Sequence, residues 1–575
     1  MLARYGHMYF GLLVQVAIVA AVCLITWWVP GVGDSWFRRA EDFASRLAVR
    51  KRFAVGLMFG VTVGLRLLLL PLPLMGVPLP AEHDEYSYLL MADTFAQGRL
   101  ANPPHPMWLS FETFHISSWP TYSSIFPPAQ GMVLALGELL GTPWIGVLLS
   151  EGAMCAAIVW MLQGWMPGRW ALLGGMLAML NLAIVSYWMN SYWGGAMAAT
   201  GGALVLGALP RIFRKAGLRD SVILGLGIAI LANSRPLEGS IFCLPVAAAL
   251  LIWLAGKSAP PFRVTGPRVV APLAAILAVT GAFIGYYNWR VTGNALLLPH
   301  SLNLQTYYST PLFVWEHLRP PLHYHNRQFE DFYNGWVRDN FRGSPRDVLR
   351  VTLEKVRAYP SAFLWAGSLP ILMALPLALR DRKMRFLLLE LVFCGLGLFL
   401  VVYSMPHYAA PLTCVVYALL VQGTRHLRTM HWNGRPVGVA WSRIAVVSLA
   451  AVTAFNLYHV VRYPNDPYAW SSDKSRGSDG RERIERLLAD QTGKQLIVVR
   501  YAPNHNPHGE WVYNLADIDG QRIVWARELG TDQDEKLLAY FKDRKAWLFD
   551  ADRDSRHLRP YTPPKALEQR SQPSY

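Results

Sequence analysis

Long uninterrupted blocks of apolar residues constrain the fold of this 575-residue chain more than any other feature of its sequence. A helix needs about 20 apolar residues to cross the roughly 30 Å hydrocarbon layer of a bilayer. Residues 9–29, 53–72, 269–288, 386–402 and 444–461 approach or reach that length. With 53% hydrophobic and only 16% charged residues, the chain is not an ordinary soluble enzyme. We therefore expect a polytopic α-helical membrane protein.

Basic residues cluster in short loops between the apolar blocks, so the net charge of +16 indicates membrane orientation rather than nucleic-acid binding. By the positive-inside rule, we expect the basic loops to be cytoplasmic. These loops are residues 38–52, 211–219, 257–268, 380–385 and 425–435. The apolar blocks between them predict about 12 transmembrane helices, at residues 9–29, 53–79, 144–163, 170–189, 193–209, 221–234, 240–255, 269–289, 361–379, 386–404, 408–422 and 439–461.

One apolar segment, residues 129–140, is too short to span a bilayer. Pro127 and Pro128 precede it and Gly141 follows it, which predicts a short helix. We expect this helix to lie in the outer interface, because a full crossing would place the basic loop at 211–219 outside. The loop of residues 80–143 then stays outside throughout.

Three regions follow from this topology. Residues 1–52 form an N-terminal transmembrane helix and a cytoplasmic loop, and residues 53–465 form the main membrane domain with outer loops 80–143 and 290–360. Hydropathy falls from about residue 466, and the pattern there predicts helices at 479–490 and 534–542 and strands at 495–501, 522–527 and 545–550. Residues 466–575 are thus expected to form a small extracytoplasmic α/β domain. Its loop at 500–514 suggests acceptor binding or packing on the membrane domain.

The string AEHDEYSYLLMADTF at residues 81–95 is the most informative one for chemistry. It places Asp84 and Glu85 just after an outward membrane passage. In a helix, Asp84 shares a face with Ser87 and Tyr88. The alternative is that the two carboxylates only complement the positive end of the helix dipole.

Histidines and a glutamate at residues 105–115 raise the alternative of a metal site. His105, Glu112 and His115 lie there, but the spacing of the two histidines matches no helical ligand pair. All five cysteines fall inside apolar segments, where they behave as small hydrophobic residues. We expect no metal or other cofactor, and an acceptor-side or structural role for the two histidines.

Three strings in order resemble the GT-C class of glycosyltransferases, which includes protein O-mannosyltransferases and the lipid A aminoarabinose transferase. They are an Asp-Glu pair after an early transmembrane helix, a Pro-Pro-initiated helix in the same outer loop, and a His-Tyr-x-x-Pro string at residues 407–411. The chain is most similar to bacterial protein-mannosyltransferase-like members. As a topology, the resemblance covers about residues 53–461.

The resemblance implies that a hexosyl or pentosyl group moves from a polyprenyl-phosphate carrier to an acceptor hydroxyl on the extracytoplasmic face of a bacterial inner membrane. Asp84 matches the catalytic base of the class, and Glu85 would orient the acceptor or the base. A phosphate leaving group is already anionic, so it needs cations rather than a second, acidic carboxyl group. The acceptor is a lipid, a glycan or a protein.

Candidate cations lie at outer helix ends. His407 matches the position where members of the class carry an Arg or His that meets the carrier phosphate, and Tyr408 flanks it. Arg235 interrupts an outer hairpin, and its alternative role is an ion pair with Glu238. Asn190 stands in a region where some relatives carry a further acidic residue, and this departure argues against a metal.

Two other classes of function remain open at this stage. A secondary transporter also has many helices and intramembrane charges, although we find no convincing repeat between the halves of the chain. A non-enzymatic assembly subunit could use the C-terminal domain to bind a partner.

Overall fold

The computed structural model describes residues 2–29, 31, 33–72, 74–403, 405–462 and 478–563. The expected domain boundary at residues 465–466 lies outside these ranges. Within these ranges, six helices are long and apolar enough to cross a membrane, and a shorter apolar helix covers Leu13–Trp28. The six are Lys51–Leu69, Pro143–Trp165, Ala196–Lys215, Pro236–Ala255, Phe262–Thr292 and Val437–Arg462. The chain therefore has a helical membrane fold, and the count of about 12 crossings stays a prediction.

The first part of the chain supplies the N-terminal helices and the first long loop. The N-terminal helices are α1 (Leu2–Trp28), α2 (Asp34–Val49) and α3 (Lys51–Leu69). The loop contains α4 (His83–Ala96), α5 (Trp108–Phe111), an antiparallel ribbon of β1 (Ile116–Ser117) and β2 (Ser123–Ser124), and α6 (Pro128–Leu139).

The central helices form the densest part of the bundle. They are α7 (Pro143–Trp165), α8 (Gly168–Leu182), α9 (Ala196–Lys215), α10 (Leu218–Ser234), α11 (Pro236–Ala255), α12 (Phe262–Thr265) and α13 (Ala271–Thr292). Small residues let their backbones approach closely, as is usual between membrane helices. A Cβ atom on Gly227 of α10 would lie 2.9 Å from the carbonyl oxygen of Gly201 on α9.

The second long loop and the last bundle helices complete the membrane region. The loop contains α14 (Pro299–Tyr307), α15 (Arg327–Phe329), α16 (Arg338–Asn340) and α17 (Pro345–Phe363). The last helices are α18 (Leu369–Met373), α19 (Leu375–Arg380), α20 (Arg385–Leu398), α21 (Thr413–Leu427) and α22 (Val437–Arg462).

The prediction of one helix over residues 361–379 is wrong. The structure has the end of α17 there, then an extended residue at Trp365, a 3-10 turn, and the two short helices α18 and α19. Pro370 and Pro376 each lie in the first turn of a short helix. Proline is tolerated in a first turn but breaks a helix interior, since it lacks the N–H group.

The predicted basic loops meet at one end of the bundle. The Gln163 side chain at the end of α7 donates to the Lys51 carbonyl oxygen at 3.0 Å, and Arg214 in the last turn of α9 donates to the Gly164 carbonyl oxygen at 3.2 Å. Arg428 forms an ion pair with Glu41 of α2 at 2.9 Å. These contacts bring together three of the five basic loops, those at residues 38–52, 211–219 and 425–435, and the end of α7.

Helix α6 is the short helix expected in the outer interface. It packs tightly on α7, where a Cβ atom on Gly146 would lie 2.1 Å from the carbonyl oxygen of Val133. Its other side exposes Leu136 and Leu139, which are 50% and 70% exposed. A helix with one packed side and one exposed apolar side suits an interface.

The C-terminal unit, residues 478–563, contains α23 (Ser478–Leu487), β3 (Lys494–Arg500), β4 (Ile523–Arg527), α24 (Thr531–Tyr540), β5 (Arg544–Asp550) and β6 (Asp554–Pro560). All five predicted elements are present within a few residues of their expected bounds. The strand order is β4-β3-β5-β6, with β6 antiparallel to β5 and the other pairs parallel.

The C-terminal unit shares its core with the first long loop. Leu90 of α4, Phe111 of α5 and Tyr122 of the ribbon belong to the same buried cluster as Leu496 and Val498 of β3. The unit therefore lies on the same side of the bundle as the loop of residues 80–143.

Candidate active site

Helix α4 positions the Asp-Glu pair, so the segment that the sequence analysis considered as a helix is helical. Asp84 and Glu85 lie in its first turn, where the backbone dipole favours negative charge. The Asp84 carboxylate forms a very short hydrogen bond with Nδ1 of His115. Their side chains are only 20% and 17% exposed. The sequence thus identified two residues that the structure brings into direct contact.

The backbone of His115 has the left-handed conformation, with φ at 57°. The Ser87 hydroxyl on α4 donates to the His115 carbonyl oxygen at 2.6 Å and lies 2.8 Å from the Ser124 hydroxyl. On the far side of the ring, the Tyr308 hydroxyl lies 3.3 Å from Nε2. These contacts fix the imidazole between the Asp84 carboxylate and the second long loop.

A cavity of about 420 Å³ lies beside α4 and the start of α6. Tyr88, one helical turn after Asp84, lines it, with its ring stacked on Phe126 at a centroid distance of 4.5 Å. Tyr403 and Tyr408 contribute further aromatic surface. Aromatic faces of this kind suit the apolar faces of sugar rings as well as hydrocarbon chains.

Arg235 also lines the cavity, in the turn between α10 and α11. Its guanidinium carbon lies 4.4 Å from the centroid of the Tyr408 ring. The expected alternative, an ion pair with Glu238, is not formed at contact distance, although Glu238 lines the same cavity and its charge acts on Arg235. Within the described ranges, no carboxylate lies within 4.0 Å of the Arg235 guanidinium. Arg235 therefore offers its charge to the cavity.

His300 is a cavity residue that the sequence analysis missed. Burial, together with the smaller effects of the charges on His115 and Arg235, lowers its pKa to about 4, and the Asp84 carboxylate opposes them. His300 is therefore neutral at pH 7. Arg235 lines the cavity with His300, and the Asp84–His115 pair is close enough to act on the same imidazole.

The two residues of the His-Tyr string at 407–408 have different positions relative to the cavity. Tyr408 lines the cavity, whereas His407 does not and is only 2% exposed. Nδ1 of His407 lies 3.1 Å from the Tyr187 hydroxyl, and its ring packs beside Trp193 at 5.0 Å. Burial among aromatic side chains favours the neutral imidazole. His407 thus packs beside the cavity wall, and Arg235 is the residue of the two that lines the cavity.

The Glu85 side chain points into the protein interior, and the residue is only 1% exposed. Its carboxylate accepts hydrogen bonds from the backbone N–H groups of Tyr192, at 3.1 Å, and Ala81, at 3.3 Å. Glu85 thus ties α4 to the segment between α8 and α9. These contacts do not place it beside the acceptor.

His105 lies apart from Asp84 and His115, against the C-terminal unit. Its Nε2 is 3.2 Å from the Asp519 carboxylate, and its ring stacks on Phe541 at 5.8 Å. Glu112 accepts a hydrogen bond from the Tyr307 hydroxyl at 2.9 Å. In the part of the chain that the structure describes, no group of three or more His, Cys, Asp or Glu side chains could hold a metal ion.

The loop at residues 500–514 contacts the helix that carries Asp84. Tyr513 stacks on Tyr86 at 3.9 Å, and its hydroxyl forms a short hydrogen bond with Nδ1 of His83. The ring of His508 stacks on that of His83 at 5.8 Å. Of the two expected roles for this loop, packing is the one that these contacts show.

Solved structures similar to this chain include ArnT from Cupriavidus metallidurans bound to undecaprenyl phosphate, with 14% sequence identity and a TM-score of 0.46 over 86% of this chain and 93% of that one. The Archaeoglobus fulgidus oligosaccharyltransferase in the apo form is similar over 87% of this chain and 69% of that one, with 12% identity and a TM-score of 0.46. No family model and no curated protein matches the chain. Both similar structures are GT-C glycosyltransferases, the class that the three sequence strings resemble.

Proposed function

We propose that this chain is a membrane glycosyltransferase that moves a sugar from a polyprenyl-phosphate carrier to an acceptor hydroxyl on the extracytoplasmic face. One observation carries the proposal. The Arg235 guanidinium, which has no carboxylate partner within 4.0 Å in the described structure, lines a cavity of about 420 Å³ together with Tyr88 and His300, and the charges of the hydrogen-bonded Asp84–His115 pair act on His300. A base and a cation in this arrangement suit a reaction in which a hydroxyl loses its proton and a phosphate leaves.

In the proposed step, the acceptor oxygen attacks the anomeric carbon while its proton passes to the Asp84 carboxylate. The bond between the anomeric carbon and the carrier phosphate oxygen breaks, and its electrons stay on the phosphate. The step needs one base and no general acid, because the leaving phosphate ester is already a weak base. His115 acts as a positioning residue, since its hydrogen bond fixes the carboxylate that receives the proton.

Arg235 supplies the charge that the leaving phosphate requires. Negative charge builds up on the phosphate as the bond breaks, and a guanidinium held in place stabilises it more than water does. The ring of Tyr408 lies against the guanidinium and restrains it. His300, neutral at pH 7, adds an imidazole that can donate a hydrogen bond to the phosphate without adding charge.

The remaining cavity walls suit the sugar and the isoprenoid chain of the donor. Tyr88 and Phe126 form an aromatic surface on the side of Asp84, where the sugar would lie. Ile284, Leu298 and Leu312 form an apolar surface, which suits the first isoprene units of the carrier.

The test is transfer from radiolabelled polyprenyl-phosphate sugars to candidate lipid, glycan and protein acceptors, with purified protein in detergent. Transfer from at least one donor supports the proposal. If no donor and acceptor pair gives transfer while a thermal transition shows that the protein is folded, the enzyme proposal is rejected. The secondary transporter and the assembly subunit then remain as the alternative functions.

A further inference from the structure

A crevice lies at the opposite end of the bundle from the candidate active site, where the predicted cytoplasmic loops meet. It consists of two adjoining cavities of about 650 and 380 Å³. Phe37, Arg443 and Val447 line both cavities and so join them. The crevice lies between the N-terminal helices α1 and α2 and the bundle helices α8, α21 and α22.

The larger cavity is almost entirely apolar. Ile18 and Val22 of α1 face Val452 and Phe455 of α22 across it. Several of these side chains are exposed, including Ile18 at 57% and Phe455 at 58%. An apolar crevice of this size between two membrane helices accepts a hydrocarbon chain.

The smaller cavity carries positive charge at its wall. Arg169, Arg428 and Arg443 line it, whereas Glu41 is its only lining carboxylate. Glu41 bonds both Arg428, at 2.9 and 3.0 Å, and Arg443, at 3.0 Å, and Asp34 pairs with Arg443 at 2.7 Å, so two carboxylates balance these two arginines. The net positive charge of the cavity wall therefore comes from Arg169. Within the described ranges, no carboxylate lies within 4.0 Å of Arg169.

An indole ring lies among these arginines. The guanidinium carbon of Arg169 is 5.7 Å from the Trp170 ring centroid, and that of Arg428 is 6.0 Å away. Trp and Arg are common at the level of lipid headgroups, and basic pockets between membrane helices bind anionic headgroups.

We propose that this crevice is a binding site for an anionic glycerophospholipid. Its phosphate would lie at Arg169 and Arg428, and one acyl chain would lie between α1 and α22. Charge complementarity selects the anionic headgroup, and the adjoining apolar cavity selects a lipid over a soluble phosphate. The site would hold α1 and α2 against the bundle through the bound lipid.

The experiment measures binding of dioleoyl phosphatidylglycerol to delipidated full-length protein in non-ionic detergent, by native mass spectrometry. Dioleoyl phosphatidylcholine has the same chains without net charge and serves as the lipid control. Arg169→Gln removes an exposed cation, and Arg263→Gln removes an exposed cation from another loop of the same predicted face. Ala451→Phe fills the apolar cavity from an exposed position, and Ala282→Phe adds the same ring to an exposed position on α13.

We expect one tight phosphatidylglycerol site and weaker binding of phosphatidylcholine. Arg169→Gln should weaken the site about fivefold, the effect of one cation at a headgroup, and Ala451→Phe should weaken it as well. Arg263→Gln and Ala282→Phe should leave it unchanged. Equal binding of the two lipids, or wild-type affinity in both crevice variants, would overturn the proposal. Displacement of phosphatidylglycerol by an equimolar polyprenyl phosphate would overturn it too and assign the crevice to the carrier.

Discussion

The imidazole of His115 hydrogen-bonds the carboxylate of Asp84 from a backbone held at φ 57°. A non-glycine residue in this conformation costs about 1 kcal/mol or more, and the cost is sustained only where surrounding contacts enforce it. Ser87 supplies such a contact, because its hydroxyl donates to the His115 carbonyl oxygen at 2.6 Å. Helix α4 therefore positions the carboxylate and also the backbone of the histidine that fixes it.

Asp84→Asn should reduce transfer by about 10²–10⁴-fold, the usual contribution of a positioned base. The amide is close in shape to the carboxylate but cannot take a proton from the acceptor. Initial rates at saturating donor measure the effect. Asp220→Asn, at the start of α10, is the matched control and should leave the rate unchanged. Wild-type turnover in Asp84→Asn would remove the base assignment.

His115→Gly and His115→Asn together test the positioning role. Glycine accepts the left-handed backbone without strain, so this variant deletes the imidazole alone. We expect kcat to fall by at least tenfold while the KM for the donor changes little. Asparagine tolerates the same backbone and offers an N–H donor, so it should recover part of the rate. A lower thermal transition in both variants with unchanged kcat would instead indicate a structural role.

Arg235→Ala should lower kcat/KM for the lipid-linked donor by about 10²–10³-fold, because it removes a preorganised charge from the leaving phosphate. Arg235→Lys keeps the charge but not the planar group, and should recover only part of the loss. Arg290→Ala removes an exposed arginine at the end of α13 and serves as the control. Equal kcat/KM values in the Arg235→Ala variant and the wild type would exclude phosphate contact at this residue.

Local patterns were sufficient for many elements of the fold. The apolar strings at 495–501 and 545–550 predicted two strands, and both form within a residue or so of those bounds. The sequence analysis missed β6 because its residues 554–560 are mostly charged. That strand lies at the edge of the sheet, where charge is common and apolar alternation is not required.

The candidate site was predicted only where its residues stand close together in the chain. The string around Asp84 showed an acidic pair on a helix, but nothing local distinguished Asp84 from Glu85, whose burial depends on the Tyr192 backbone 107 residues away. Likewise, no pattern around residue 300 indicates that His300 and Arg235 line the same cavity, because α13 and the turns around it decide that arrangement. Tertiary contacts at such separations cannot be read from helix periodicity.

Reporter fusions test which side of the membrane carries the site. A fusion after Arg380 should report the cytoplasm, because this residue begins a basic loop. A fusion after Arg462 should report the extracytoplasmic side, because the C-terminal unit packs on the loop that carries Asp84. An enzymatic reporter that is active on one side only measures both. A cytoplasmic signal after Arg462 would place the candidate site and the C-terminal unit on the cytoplasmic face, which contradicts the proposal.

Acid should weaken the contact between α4 and the C-terminal unit through His83. Burial, together with the nearby His115 and His508, lowers the pKa of His83 well below its ordinary value. The folded protein thus holds this imidazole neutral, whereas the unfolded chain takes up a proton near pH 6.5. The stability contributed by the neutral form is complete above about pH 6.5 and falls as the pH drops below it. One such histidine changes the free energy of unfolding by up to about 1.4 kcal/mol per pH unit.

Thermal transitions in detergent between pH 7.5 and 5 measure this effect. His83→Gln keeps a polar group beside Tyr513 but cannot titrate, so its transition temperature should fall less steeply on acidification than that of the wild type. Burial also lowers the pKa of His508, so part of the slope should remain in the variant. His557→Gln changes an exposed histidine on β6 and should retain the wild-type slope. Parallel curves for His83→Gln and the wild type would show that protonation of His83 does not oppose folding.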